Sequence, residues 1–232
     1  MTCLTLKTAR LLGAAAAISV AGSTFAAPIN YGDFSGSTVN YLDVTEDDTD
    51  PSYGVPSIAG DKLFFADLAT NNFIAGVSDT VVGTITMNVA SNDGSDLANI
   101  WIEEGGDYQY SGLGGAQGLL TASLSVLVFD ADTNALLTSG TADYSTGVLT
   151  APADNTPVGF WDLSLHIDLS GLATDEVFVV VNNNLSAIGS DPSTGFIQKK
   201  YFDITTTTVP EPGSIALLGL GGLLLVRRRR SA

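Results

Sequence analysis

Between residues 28 and 208, apolar and polar positions alternate in short runs separated by clusters of Gly, Asp, Asn, Ser and Pro. That two-residue period belongs to strands with one buried face, because successive side chains of an extended chain point to opposite sides. It is clearest in 159–169, where Leu163, Leu165, Ile167 and Leu169 share one face and Asp162, Ser164, His166 and Asp168 the other. In 119–129 the buried line is Leu120, Ala122, Leu124, Val126 and Val128. The same reading predicts strands at 38–44, 62–66, 80–90, 100–103, 108–111, 135–138, 141–145, 177–182 and 196–205. No helical period competes with them. Many short strands at this spacing predict an all-β fold over 27–204, an antiparallel β-sandwich or jelly roll. The threonine run 205–208 reads as a linker leaving that domain.

The two ends break the alternation. Lys7 and Arg10 precede an apolar stretch over 11–21, and Thr24-Phe25-Ala26 supplies small residues where a signal peptidase reads them. These are the three parts of a secretory signal, so 1–26 is expected to form a short signal helix removed between Ala26 and Ala27. At the other end come Val209-Pro210-Glu211-Pro212-Gly213, an apolar run from Ile215 to Val226, and the basic cluster Arg227, Arg228, Arg229 and Arg230. Two prolines so close together halt any strand or helix arriving from the body. The apolar run would make about 18 Å of helix at about 1.5 Å per residue. That is short for a hydrocarbon core of about 30 Å. The arginines hold the chain's end on the cytoplasmic side while the body lies outside.

This order of parts over 209–232 resembles the PEP-CTERM sorting signal of Gram-negative bacteria: an extended Pro-Glu-Pro, a short apolar helix and a basic cluster. The resemblance implies recognition and cutting at the motif by an exosortase, an integral-membrane enzyme similar to cysteine transpeptidases. It also implies transient anchoring in the inner membrane and release to the cell surface or beyond, in the company of exopolysaccharide. The same tail is catalogued as the C-terminal region of certain ice-binding proteins, which describes an address and not an activity. Within the body, Tyr31-Gly32-Asp33-Phe34-Ser35-Gly36-Ser37-Thr38 and Glu103-Glu104-Gly105-Gly106-Asp107-Tyr108 resemble domains of PEP-CTERM proteins that bring no known active site.

Composition narrows the partners. The 232 residues, 45% of them hydrophobic, suffice for one sizeable domain. The net charge is −16, and most of the cations sit in the two ends. Only Lys62, Lys199 and Lys200 remain in the body, against every acid except Glu211. Nucleic acid is therefore excluded as a partner, since phosphate needs clustered Lys or Arg, whereas divalent cations are attracted. The single cysteine, Cys3, lies in the leader. Once that is removed, no disulfide, thiolate zinc site or cysteine nucleophile is available.

Several groups have the composition of a site but not its spacing. Ser164, His166 and Asp168 carry triad chemistry, yet alternate strand residues lie about 6.6 Å apart while a nucleophile and its base must meet within about 3.2 Å. Glu103 and Glu104 are strand neighbours and face opposite ways, so they cannot flank one glycosidic bond. Asp130, Asp132 and Asn134 place oxygen ligands at alternate positions, as in a calcium loop, but Ala135 and Thr141 stand where the EF-hand needs glycine and glutamate. A hairpin turn explains them without metal. The acidic runs 46–51 and 92–96 read as solvated loops, and Trp101, Tyr108, Tyr110 and Trp161 as core or cross-strand aromatics that would otherwise stack on sugars. The expectation is a secreted, non-catalytic surface or matrix protein with no resident cofactor. The alternatives are a glycan-binding module, with or without calcium, and third a secreted hydrolase.

Overall fold

A computed structural model describes residues 28–47, 53–65, 74–76, 78–112, 114–151, 158–190 and 193–209. The expected signal peptide 1–26 and the segment 210–232 lie outside the described residues, and so do the two terminal helices expected there. Among the described residues the fold is all-β, two antiparallel sheets packed as a sandwich. The twelve strands are β1 (Ile29–Ser35), β2 (Val39–Glu46), β3 (Ser57–Ala59), β4 (Lys62–Phe65), β5 (Ile74–Gly76), β6 (Asp79–Ser91), β7 (Leu97–Gly112), β8 (Gln117–Asp130), β9 (Leu136–Thr150), β10 (Val158–Asp168), β11 (Glu176–Gly189) and β12 (Ser193–Thr208).

One sheet runs β1-β2-β6-β11-β8-β9, and the other β10-β7-β12-β4-β3 with β5 also paired to β12. From β6 onward the chain passes repeatedly between the sheets, and only β8–β9 forms a hairpin within one of them. The long strands bury every second residue. In β8 these are Leu120, Ala122, Leu124, Val126 and Val128, and in β11 they are Val177, Val179, Val181, Asn183, Leu185 and Ala187. Facing them from the second sheet are Ile100, Ile102, Ile197, Phe202 and Ile204. Each such aliphatic or aromatic side chain contributes roughly 1.5–3 kcal/mol on leaving water. The edge strands β9 and β10 close one side, where Leu165 and Ile167 cover Gly140.

The threonine linker is corrected by this register. Residues 205–208 are the last four of β12, with Thr205 opposite Trp101, Thr206 opposite Ile100, Thr207 opposite Asn99 and Thr208 opposite Leu97. β-branched side chains favour a pleated surface, and Thr206 is fully buried with its backbone N–H donated to the Tyr41 hydroxyl at 3.1 Å. Two further expectations divide single strands. The segments 100–103 and 108–111 join into β7 across Gly105 and Gly106, and 135–138 and 141–145 join into β9 across Gly140. Glycine reads there as punctuation in the sequence, but at each place a neighbouring strand passes too close for a side chain. Strands β1, β3 and β5 are additional, two of them too short to show a period.

At the β7–β12 crossing the register shifts between Lys199 and Tyr201, a bulge in the middle of the sheet. A Cβ on Gly106 would overlap the Gln198 carbonyl oxygen, a backbone atom that cannot rotate away. Gly106→Ala is therefore expected to destabilise the domain by about 3 kcal/mol, as overpacking against fixed backbone does, whereas Gly171→Ala, with open space around it, should be close to neutral. Urea unfolding of the two variants checks the contrast.

Candidate functional site

The outer face of β7 and β10 carries the polar row singled out in the sequence. Ser164, His166 and Asp168 alternate along β10, all three facing outward, with His166 opposite Trp101 and Ser164 opposite Glu103. The His166 ring lies flat on Trp101, centroids 3.8 Å apart and planes 10° from parallel, and its Nε2 donates to Asn99 Oδ1 at 2.7 Å. Asp168 instead accepts from the Ser170 backbone N–H at 2.9 Å and hydroxyl at 2.7 Å, bonds that hold its carboxyl below the usual carboxylate range. His166 and Asp168 therefore serve different partners, and the three side chains do not converge on one atom. Of the aromatics named for sugar stacking, Trp161 and Tyr110 are core and Tyr108 is half-buried. Trp101 remains 42% exposed, with Tyr201 at 39% on the neighbouring β12.

The acidic turns are closed by their own bonds. Asp130 Oδ1 accepts from the Thr133 N–H at 2.7 Å and hydroxyl at 2.6 Å, and Asn134 takes a left-handed φ of 55° as its N–H reaches back to the Asp130 carbonyl at 2.9 Å. The Thr133 bonds hold Asp130 below its ordinary value. The Asp132 side chain is exposed, while its backbone N–H also bonds the Asp130 carboxylate. In the next loop Asp93 is engaged in the same way by Ser91 and Ser95. Among the described residues no group of three His, Cys, Asp or Glu is placed to share a metal ion.

One expectation fails outright. Glu46 reads in the sequence as the start of a solvated loop, yet it is fully buried, accepting from the Tyr31 hydroxyl at 2.5 Å and the Tyr53 backbone N–H at 3.3 Å. Position 46 is the inward end of β2, and the aromatic residues Tyr31 and Tyr53 cover it. It borders a polar pocket between the sheets that alternation does not reveal.

Glu103 and Glu104 do face opposite ways: Glu103 is exposed, while Glu104 is fully buried and paired with Lys199 Nζ at 2.7 Å, itself fully buried. Tyr53, Phe65 and Phe202 pack edge to face around the pair, with Nζ 4.8 Å from the centre of the Tyr53 ring and 5.1 Å from that of Phe202. Burial pushes Glu104 up and Lys199 down, and their mutual attraction opposes both shifts. Tyr53, wholly enclosed beside Glu104, is held well above the ordinary phenol range. The signal in the sequence is a change of parity: Ile197 and Lys199 lie on the inward side before the bulge, and Phe202, Ile204 and Thr206 after it.

The described chain ends beside the sorting motif. Val209 N–H donates to the Asp96 carbonyl at 2.7 Å, pinning the last residue after β12 to the loop before β7. Of the motif residues, Pro210, Glu211, Pro212 and Gly213 lie outside the described residues, with Ile215, Val226 and Arg227 to Arg230. Ala26 and Ala27 do so at the other end. No helix among the described residues is long and apolar enough to cross a membrane.

Comparison with known proteins separates body from tail. No curated protein matches the chain. Among solved structures, a chain of infectious bursal disease virus, Gx strain, is similar over 60% of this chain at 13% identity with a TM-score of 0.37, and this chain spans only 30% of it. TmCBM61 in complex with β-1,4-galactotriose is similar over 75% of this chain and 97% of its own, at 13% identity and a TM-score of 0.21. Eiger TNF from S. frugiperda is similar over 54% of this chain and 68% of its own, at 13% identity and a TM-score of 0.23. The tail is specific where these are not: residues 208–230 match the family model of the PEP-CTERM protein-sorting motif, so the chain carries that sorting motif there.

Proposed function

We infer that the chain is an exported, non-catalytic cell-surface or matrix protein, its body delivered by the signal peptide and its C-terminal segment processed at Pro210 to Pro212. The observation that carries this reading is the sorting motif over 208–230, which begins where the described fold ends. Signal peptidase and an exosortase-type enzyme are its processing partners, the inner membrane a transient station, and exopolysaccharide its surroundings. The body suits that role. Its surface is acidic and remains soluble among anionic polymers by repulsion.

Because Val209 is tied to Asp96, the separable segment starts at residue 210. Deletion of 210–232 is expected to leave the melting temperature of the body unchanged and to release the protein from the cell. Glu211→Ala should impair sorting without changing stability. Mass spectrometry of surface-associated protein, from a host carrying the sorting enzyme, decides the matter. Peptides spanning Pro212 to Arg227 in most mature molecules would show the tail to be a lasting anchor.

A second reading, glycan binding, is favoured by the exposed ring of Trp101, levelled by His166, with Tyr201 and the acids Glu103, Asp162 and Asp203 on the same side of the sheet. A glycan array probed with and without calcium tests it, and Trp101→Ala should abolish any signal. With Asp130 already engaged by Thr133, calcium is expected to act only by screening, raising the melting temperature slightly and without saturation. Saturable micromolar binding lost on Asp132→Ala would instead assign Asp130, Asp132 and Asn134 as ligands.

A further inference from the structure

Apolar packing does not explain the pocket around Lys199. The lysine lies inward on β12, Glu104 inward on β7, and Asn183 inward in the middle of β11 on the opposite sheet, all of them buried. Asn183 and Lys199 stand equally far in sequence on either side of position 191, on β11 and β12, strands of the two sheets that contact each other. Tyr53 spans the gap. Its ring lies under Lys199 Nζ, and its hydroxyl donates at 3.4 Å to the carbonyl of Gly83, the residue across the ladder from Asn183. Asn183 also lies close enough to Tyr53 to moderate the rise in its pKa.

Three polar atoms of this pocket are left without a hydrogen bond: Asn183 Oδ1, Asn183 Nδ2 and Glu104 Oε1. Groups so placed cost free energy, and a buried ammonium adds to the cost. One chemical change relieves all of it. We propose that Lys199 and Asn183 become joined by an amide bond between Nζ and Cγ, a covalent link between the two sheets, with Glu104 carrying the protons.

The step balances with the groups present. A proton first passes from Nζ to Glu104 along their existing 2.7 Å bond, leaving an amine and a carboxylic acid. Burial favours that neutral pair, lowering the lysine pKa and raising that of the glutamate. The amine lone pair then attacks Cγ while the acid hydrogen-bonds to Oδ1. Glu104 moves a second Nζ proton to Nδ2, the Cγ–Nδ2 bond breaks, and ammonia leaves. No atom is oxidised or reduced. The charge on Lys199 and the stranded Nδ2 are gone, Oδ1 gains a donor, and the dry aromatic wall keeps water from reversing the bond.

The test is the intact mass of the full chain as recovered folded from its host, with its mature termini mapped by peptide sequencing. The expected mass is lower by one ammonia than the sequence between those termini requires, and broad-specificity digestion should yield a branched peptide joining residues 183 and 199. Lys199→Arg, Asn183→Ala and Glu104→Ala should each restore the unmodified mass, adjusted for the substitution. An unreduced mass with Lys199 and Asn183 in separate linear peptides overturns the proposal. So does a loss of water with the branch at Glu104, which would be a different bond. Because the unsubstituted protein is read directly, the outcome is decisive even where a variant fails to fold.

Discussion

Everything in the body depends on a dry seam in which the inward residues of β11, β8 and β6 meet those of β7 and β12. The body between the two ends has no cysteine, so no disulfide assists this contact in holding one sheet to the other. Alternation is its instrument. A shift of one residue in any long strand would carry a full row of valines and leucines into water, so the register is fixed by the seam itself. The bulge at Lys199 to Tyr201 is tolerated because the alternation resumes beyond it with its parity changed, Phe202, Ile204 and Thr206 pointing inward.

Within that seam the polar pocket is a local exception with a geometric origin. Gly83 and Gly106 withhold side chains from the inward face, and the aromatic rings of Tyr53, Phe65 and Phe202 fill the space instead. Aromatic walls leave narrow, polarisable room for a long lysine stem and a carboxylate. Removing either charged partner would strand the other, so the pocket is retained as a unit or lost as one.

How much of this is legible in the sequence follows from which residues obey the period. The core lines of β8 and β10 can be read directly because Leu120 to Val128 and Leu163 to Leu169 are unbroken, and the acids of β10 lie outward as alternation requires. The Thr205 to Thr208 run misleads because four identical polar residues show no alternation, although they continue the inward and outward order of β12. Glu46, Glu104 and Lys199 mislead for the opposite reason: single-residue chemistry assigns them to water, and only the strands packed over them reveal otherwise. Asn183 sits beside Asn182 and Asn184, and nothing but register distinguishes the one that points inward. The sorting motif is readable because its parts are covalently consecutive and need no fold to assemble.

The bond from Val209 N–H to the Asp96 carbonyl has a mechanical consequence. Whatever pulls on the tail pulls along β12, an interior strand hydrogen-bonded to β7 on one side and to β4 and β5 on the other. Ladder bonds lie across the strand axis, so such a load strains many of them together in shear and cannot peel them off singly. An edge strand such as β9 at the same terminus would unzip from its end. Leaving the domain from the middle of a sheet gives the fold a firm grip on whatever segment follows residue 209, and resistance to force becomes a matter of unfolding rate and not of equilibrium stability.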